Sequence, residues 1–327
     1  MMNMLQEMTD EKARHFLALS REMHWSFPSS QGTPIIKGQA PTQWIERAVK
    51  ERESYVNAAH TLMEHGDEEA AIEIAANAWR LWMLARDLDG GRAFLASNLD
   101  KGGKKPSRAR SLALYGDALL AFSKGKIEES RQRSQAALDA ALAVNDREAL
   151  TLAYLGLTRV AFEDGDYAKS ASLAVKAREF ALGLDPAMGQ APLFLHANAT
   201  RLTGDYDQAA ALFEQSLELN RKIRDQGMVA AELQNLGFVE IHRGNADAAE
   251  RYFTEGEKIG PARDRYSSAM SIINKTVIAF LRGNKCESRT LLQSARSVFK
   301  EARIAPGADD QFEIDWLHGQ LEKNARD

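Results

Sequence analysis

The stretch TGDYDQAAALFEQSLELN, residues 203–220, returns in altered form at three other places in the chain. DGDYAKSASLAVKAREF begins at Asp164, RGNADAAERYFTEGEKI at Arg243 and RGNKCESRTLLQSARSV at Arg282. Taking the residue before the Asp or Asn as a marker places it at Arg86, Gly125, Gly165, Gly204, Gly244 and Gly283, at intervals of 39, 40, 39, 40 and 39 residues. A period of this length marks an array of stacked structural repeats.

The chemistry of the marker predicts what each repeat contains. A glycine ends a helix by taking a left-handed conformation that other residues resist. The residue after it is Asp87, Lys126, Asp166, Asp205, Asn245 or Asn284. Five of these six side chains are able to accept a hydrogen bond from the free amides opening the next helix, each worth about 1 kcal/mol. Asp205 with Gln208 and Asn284 with Glu287 have capping-box spacing. Each repeat is therefore expected to be helix, tight turn, helix.

Columns taken from the same markers predict the packing. Five residues before them stand Leu81, Leu120, Val160, Ala199, Val239 and Ile278, all aliphatic. Five residues after them stand Gly91, Ser130, Ser170, Ala209, Ala249 and Ser288, all small, and twelve after stand Asn98, Ala137, Ala177, Ser216, Gly256 and Ala295. Small residues let two helices approach closely, with Phe213, Phe253 and Leu292 filling the space beside them. One such hairpin cannot bury its apolar face alone, so the hairpins are expected to stack as a solenoid.

This pattern resembles the tetratricopeptide repeat in a longer form of about 40 residues. The best match is LQNLGFVEIHRGNADAAERYFTEGEKIGP, with Leu233, Leu236, Gly237, Gly244, Ala249, Phe253 and the closing Pro261 at the family's positions. Other repeats depart from it, with His196 and Lys275 where leucine is usual and Arg86 in place of the turn glycine. The resemblance spans residues 70–303 and implies an all-α fold, a right-handed α-solenoid of about six tetratricopeptide-like hairpins. It divides the chain into an N-terminal helical extension (1–65), the solenoid (66–303) and a C-terminal capping helix (304–327). The sequence predicts helices over TDEKARHFLALSREMHW and over Gln43–His65, with a loop at residues 26–42 between them. Phe312, Trp316 and Leu321 are expected to form the one apolar edge of the capping helix, whose remainder would face water.

A second, narrower resemblance lies in the N-terminal third. Trp44, Arg47, Glu51, Gly66, Asp67, Trp79, Trp82, Gly91 and Arg92 sit in the register of bacterial signal-transduction ATPases with LuxR-type activator domains, while Ser54 and Thr61 depart from it. The resemblance implies a sensing arm, either free-standing or part of a larger regulator. No GxxxxGK[ST] phosphate-binding loop occurs in the chain.

Composition narrows the functional classes. The net charge of −4 and pI of about 6.0 provide no global basic field for direct binding of nucleic acid or anionic membrane. No apolar run reaches the roughly 18 residues of a membrane span, and MMNMLQEMTDEKAR lacks the apolar stretch of a signal peptide. The expected location is the cytoplasm. The lone Cys286 excludes an internal disulfide and a cysteine-rich zinc site. The seven histidines are scattered and no nucleophile, base and orienting group converge, so neither enzyme activity nor a metal or cofactor is expected. Trp79 and Trp82, beside Leu81 and Leu84, fit a core. The basic cluster DKGGKKPSRAR, 100–110, fits a solvated inter-repeat loop.

What remains is the concave face that the resemblance implies, lined by the first helix of each hairpin. Its positions hold Arg80, Arg159, Asn198, Arg201, Asn235, His242 and Asn274, which are expected to face solvent in the free protein and to bind a protein or peptide ligand. Amides pair with the backbone of an extended segment and arginines with its carboxylates. A small-molecule effector is the alternative ligand. Oligomeric state is not legible in the sequence.

Overall fold

The turns at the markers organise the structure, a computed structural model that describes residues 8–22, 49–259 and 265–323. All six marker residues take positive φ: Arg86 58°, Gly125 70°, Gly165 77°, Gly204 90°, Gly244 76° and Gly283 82°. Each reverses the chain between two helices, as the period predicts. The side chains of Asp87, Asp166, Asp205 and Asn245 then accept from the backbone amides of Gly90, Lys169, Gln208 and Ala248. Asn284 departs from expectation. Its side chain makes no cap bond, and its amide nitrogen lies 3.5 Å from the Glu287 carboxylate instead.

The described residues form two compact units, divided between Pro192 and Leu193. The first contains α1 (Asp10–Glu22), α2 (Arg52–Glu64), α3 (Glu68–Ala78), α4 (Arg80–Leu84), α5 (Leu88–Lys101), α6 (Arg108–Ser123), α7 (Ile127–Val144), α8 (Arg147–Glu163), α9 (Tyr167–Ala181) and a 3-10 turn, Pro186–Gly189. Arg21 joins α1 to α3 through two hydrogen bonds to Glu73, at 2.7 and 2.6 Å. Trp79 and Trp82 are buried core residues, as expected. A Cβ on Gly91 would lie 2.7 Å from Trp82 Cβ and 2.9 Å from Leu120, so the small column reflects close helix contact. The loop at 26–42, Trp44, Arg47 and Pro261 lie outside the described residues.

The second unit holds most of α10 (Gln190–Leu202), then α11 (Tyr206–Lys222), α12 (Gln226–His242), α13 (Ala246–Ile259), α14 (Arg265–Leu281), α15 (Lys285–Ala302) and α16 (Ala308–Lys323). α10–α11, α12–α13 and α14–α15 are its three hairpins. Ala209, Ala249 and Ser288 of the small column are each 0% exposed. Ser288 also donates its hydroxyl to the Thr276 carbonyl across its hairpin at 3.1 Å, and Ser170 does the same to Thr158 in the first unit. The small side chains thus admit close approach and, where they are serines, tie the two helices together. One core cluster joins Phe213, Leu217, Leu233 and Leu236. Another joins Phe238, Phe253, Ile273 and Leu292 with Ile314, Leu317 and Leu321 of α16.

Candidate functional site

In the second unit the first helices of the hairpins are α10, α12 and α14, and α16 lies against all three. Glu313 of α16 is fully buried. One of its carboxylate oxygens accepts from Nη1 of Arg201 on α10, and the other lies 2.8 Å from Nε2 of His242 on α12. Arg201 is also fully buried, with its second terminal nitrogen donating to Oδ1 of Asn198 at 3.3 Å and its guanidinium 5.7 Å from the Phe238 ring centroid. A guanidinium and an imidazole on neighbouring first helices thereby hold the two oxygens of one carboxylate. Charge-assisted bonds of this kind are stronger and more directional than neutral ones.

Aromatic rings fix the imidazole. His242 stacks on Tyr206 of α11 with centroids 4.6 Å apart and planes at 6°. Trp316 of α16 meets it edge-on at 4.7 Å, and Phe312 stands at 6.1 Å. Burial raises the pKa of the Tyr206 hydroxyl, and the Glu313 carboxylate adds to that. A second polar contact sits one turn earlier on α16, where Tyr266 of α14 donates its hydroxyl to Asp310 and accepts from the Gly307 amide at 3.1 Å. Burial pushes the Asp310 carboxyl up to about 7, and neighbouring Asp309 adds to the rise.

These contacts correct two expectations. Asn198, Arg201, Asn235 and Asn274 do not face solvent; their exposures are 1%, 0%, 6% and 3%. The His242 side chain is only 3% exposed. For Arg201 and His242 the cause is α16, which supplies a carboxylate and two aromatic rings above them. Asn274 instead spans two first helices, donating to Gln234 of α12 at 3.3 Å. The last helix also does more than present an apolar edge: Leu321 is buried as expected, whereas Phe312 and Trp316 are half-buried and Glu313 occupies the inner face. A sequence signal existed for this, because Glu313, Leu317 and Leu321 follow one another at four-residue spacing and share one helix face. A glutamate in an apolar stripe needs a buried partner.

Arg80 and Arg159 belong to the first unit, where both are half-buried. Arg159 donates to the Tyr115 hydroxyl at 3.4 Å, and the Arg80 guanidinium lies 4.3 Å from the Trp79 ring centroid. Burial draws the Arg80 pKa down to about 10, with nearby Arg159 acting in the same direction against Tyr115 and Glu148. In the basic cluster, Arg110 is engaged with the carbonyls of Leu99 and Gly103 and Arg108 with Glu148. Among the described residues no group of three His, Cys, Asp or Glu side chains is arranged to hold a metal ion. None of the described helices is long and apolar enough to cross a membrane.

Comparison with known proteins bears on the architecture. The tetratricopeptide repeat family model matches residues 190–262. A search of curated proteins finds no relative in sequence. Among solved structures, BtubC (BKLC) from P. vanneervenii is 16% identical, with a TM-score of 0.57, covering 67% of this chain and 96% of its own. NprR, solved in complex with its cognate peptide NprX, is 17% identical, with a TM-score of 0.56 over 88% of this chain and 84% of its own. Aspartyl phosphate phosphatase F from Bacillus subtilis is 10% identical, with a TM-score of 0.52 over 99% of this chain and 95% of its own. At these identities the likeness concerns the fold. With helical hairpins repeating every 39 or 40 residues and a tetratricopeptide repeat match over residues 190–262, the chain has an all-α fold built of tetratricopeptide-like hairpins.

Proposed function

We propose that this protein is a non-catalytic scaffold that docks an acidic protein or peptide segment on the first helices of its repeats, as a partner-docking or sensing arm in bacterial regulation. The observation that carries this reading is the clamp formed by Arg201 and His242 on the two oxygens of one carboxylate. Such a clamp selects a carboxylate by geometry and charge together. Asn198, Asn235 and Asn274 extend the proposed site along the same helices of the second unit, while Arg80 and Arg159 are separate cationic candidates on the first helices of the first unit. The solved complex of NprR with its cognate peptide NprX supports a peptide as the ligand class. The N-terminal resemblance to signal-transduction ATPases supports regulation as the setting.

The test is titration of full-length protein with fluorescent peptides of matched length, one acidic and one basic. The acidic peptide is expected to bind, and His242→Ala to weaken it at least tenfold. Equal affinity for wild type and variant, with folding intact, would overturn the clamp as the binding site. A clamp for a single carboxylate also suits a small organic acid, the second reading. A thermal-shift screen of carboxylic acids separates the two, because a ligand at one hundred times its dissociation constant stabilises by about 2.7 kcal/mol.

A further inference from the structure

We infer that α16 is a detachable internal ligand, whose Glu313 occupies the Arg201–His242 clamp until an acidic, aromatic-bearing helix of a partner protein takes the same seat. This inference rests on the carboxylate-docking reading above and adds to it the form of the partner and the means of regulation.

The placement of α16 is the first observation. Its polar groups reach three successive first helices: Arg201 on α10, His242 on α12 and Tyr266 on α14. A helix that merely continued the array would pack on the last hairpin alone. The second observation is the division of its attachments. Ile314, Leu317 and Leu321 join the core cluster of the last two hairpins, while fully buried Glu313 and half-buried Asp310 enter polar contacts. Taking charges out of water offsets most of what their attraction returns, so a buried ion pair specifies an arrangement more than it stabilises it. The polar seat of α16 is thus demanding about chemistry, while its hold comes from Ile314, Leu317 and Leu321.

The third observation concerns what is left when the helix departs. The Arg201 guanidinium and the His242 imidazole then meet water, so release strands no buried ion, and its cost falls on the apolar contacts of Ile314, Leu317 and Leu321. An incoming carboxylate finds the same two donors. Phe312 and Trp316 flank the carboxylate at one residue before and three after it, and both rings face His242. The partner segment is therefore an amphipathic helix carrying Glu or Asp with aromatic residues at those offsets.

A fluorescein-labelled peptide copying residues 308–323 probes the seat in the full-length protein. The tethered helix competes at an effective concentration of about millimolar, so weakening it must favour the peptide. The peptide is expected to bind Glu313→Gln protein at least tenfold more tightly than wild type, and to lose at least tenfold when it carries Gln at the same position. Trp316→Ala serves as a second loosened protein should Glu313→Gln fold poorly, with the same expected gain. Hydrogen exchange of wild type is expected to show α16 amides opening faster than those of α12, and faster still with peptide present.

Equal peptide affinity for wild type and the folded loosened variants would overturn the inference, as would α16 amides that exchange only when α12 does. Exchange of α16 between two copies, seen as a concentration-dependent dimer that blocks the peptide, would also overturn it. The two levels of the argument fail differently. If α16 stays closed while acidic peptides bind in a manner that depends on Arg159, the docking function stands and the detachable helix falls. If α16 opens and no acidic peptide binds at all, both fall.

Discussion

Glu232 sits fully buried on α12, with one carboxylate oxygen accepting from Ser216 and, at 3.2 Å, from Asn220 on α11, while the other has no hydrogen-bond partner among the described residues. Burial pushes its pKa up to about 8 against the pull of those two hydrogen bonds. A folded pKa above the unfolded value means that the associated stability is complete below about pH 4.5 and is lost as the pH rises through about 8. Glu232→Gln cannot ionise. It is expected to melt with wild type at pH 5 and several degrees above it at pH 9, a shift of roughly 2–4 °C per kcal/mol for domains of this size. Coincident melting curves at pH 9 would rule out a buried ionising carboxylate. The burial of Asn198 leads to a further expectation. Its Oδ1 accepts from Arg201, so Asn198→Ala leaves a buried guanidinium nitrogen short of an acceptor and is expected to cost about 1–3 kcal/mol in chemical denaturation. A solvent-facing asparagine, as the sequence suggested, would cost almost nothing.

At the scale of helices and turns, the repeat register is itself testable. Arg86 holds a left-handed conformation at φ 58° where the other markers have glycine. Arg86→Gly is expected to stabilise the protein by up to about 1 kcal/mol, because glycine carries no Cβ penalty there. Ala209 is 0% exposed in the column where two helices meet, next to exposed Gln208. Ala209→Leu should overpack the hairpin by about 1–3 kcal/mol, whereas Gln208→Leu should stay within about 0.5 kcal/mol. Similar denaturation midpoints for the two variants would break the register. The small columns and the turns were legible in the sequence because both are local demands: a tight turn needs positive φ, and a close helix contact needs a small side chain. The failed cap at Asn284 was not legible, since spacing permits a capping bond but does not orient the amide.

Over the molecule as a whole, charge and protonation are expected to govern the inner face. The chain carries a net charge of −4, yet the clamp joins a guanidinium to an imidazole. Binding of an acidic peptide is expected to weaken as salt is raised from 50 to 500 mM, at concentrations where the screening length falls below about 10 Å; salt-independent binding would point to an apolar site. Docking of α16 has its own pH dependence. Asp310 faces Tyr266 of α14 and Arg201 of α10, with Asp309 and Glu313 beside it on α16, and burial holds its pKa up at about 7. The docked state therefore holds the Asp310 proton more tightly than the undocked one, so the Asp310 contribution to docking is complete below about pH 4 and is lost as the pH rises through about 7. Exchange of α16 amides, corrected for the intrinsic rate, is expected to accelerate between pH 6 and 8 in wild type and to lose that acceleration in Asp310→Asn.

By itself the sequence determined the period, the helix–turn–helix content of each repeat and the likeness of its hairpins to tetratricopeptide repeats, since these follow from residues within about forty positions of one another. It also picked out Arg201 and His242 as positions on first helices. Only the tertiary structure decided what those side chains meet. Glu313 lies 112 residues from Arg201 and 71 from His242 along the chain, and no periodicity links them. Their meeting depends on the path of α16 across the hairpins, a long-range packing choice in which Ile314, Leu317 and Leu321 seat the helix and the buried carboxylate sets its register.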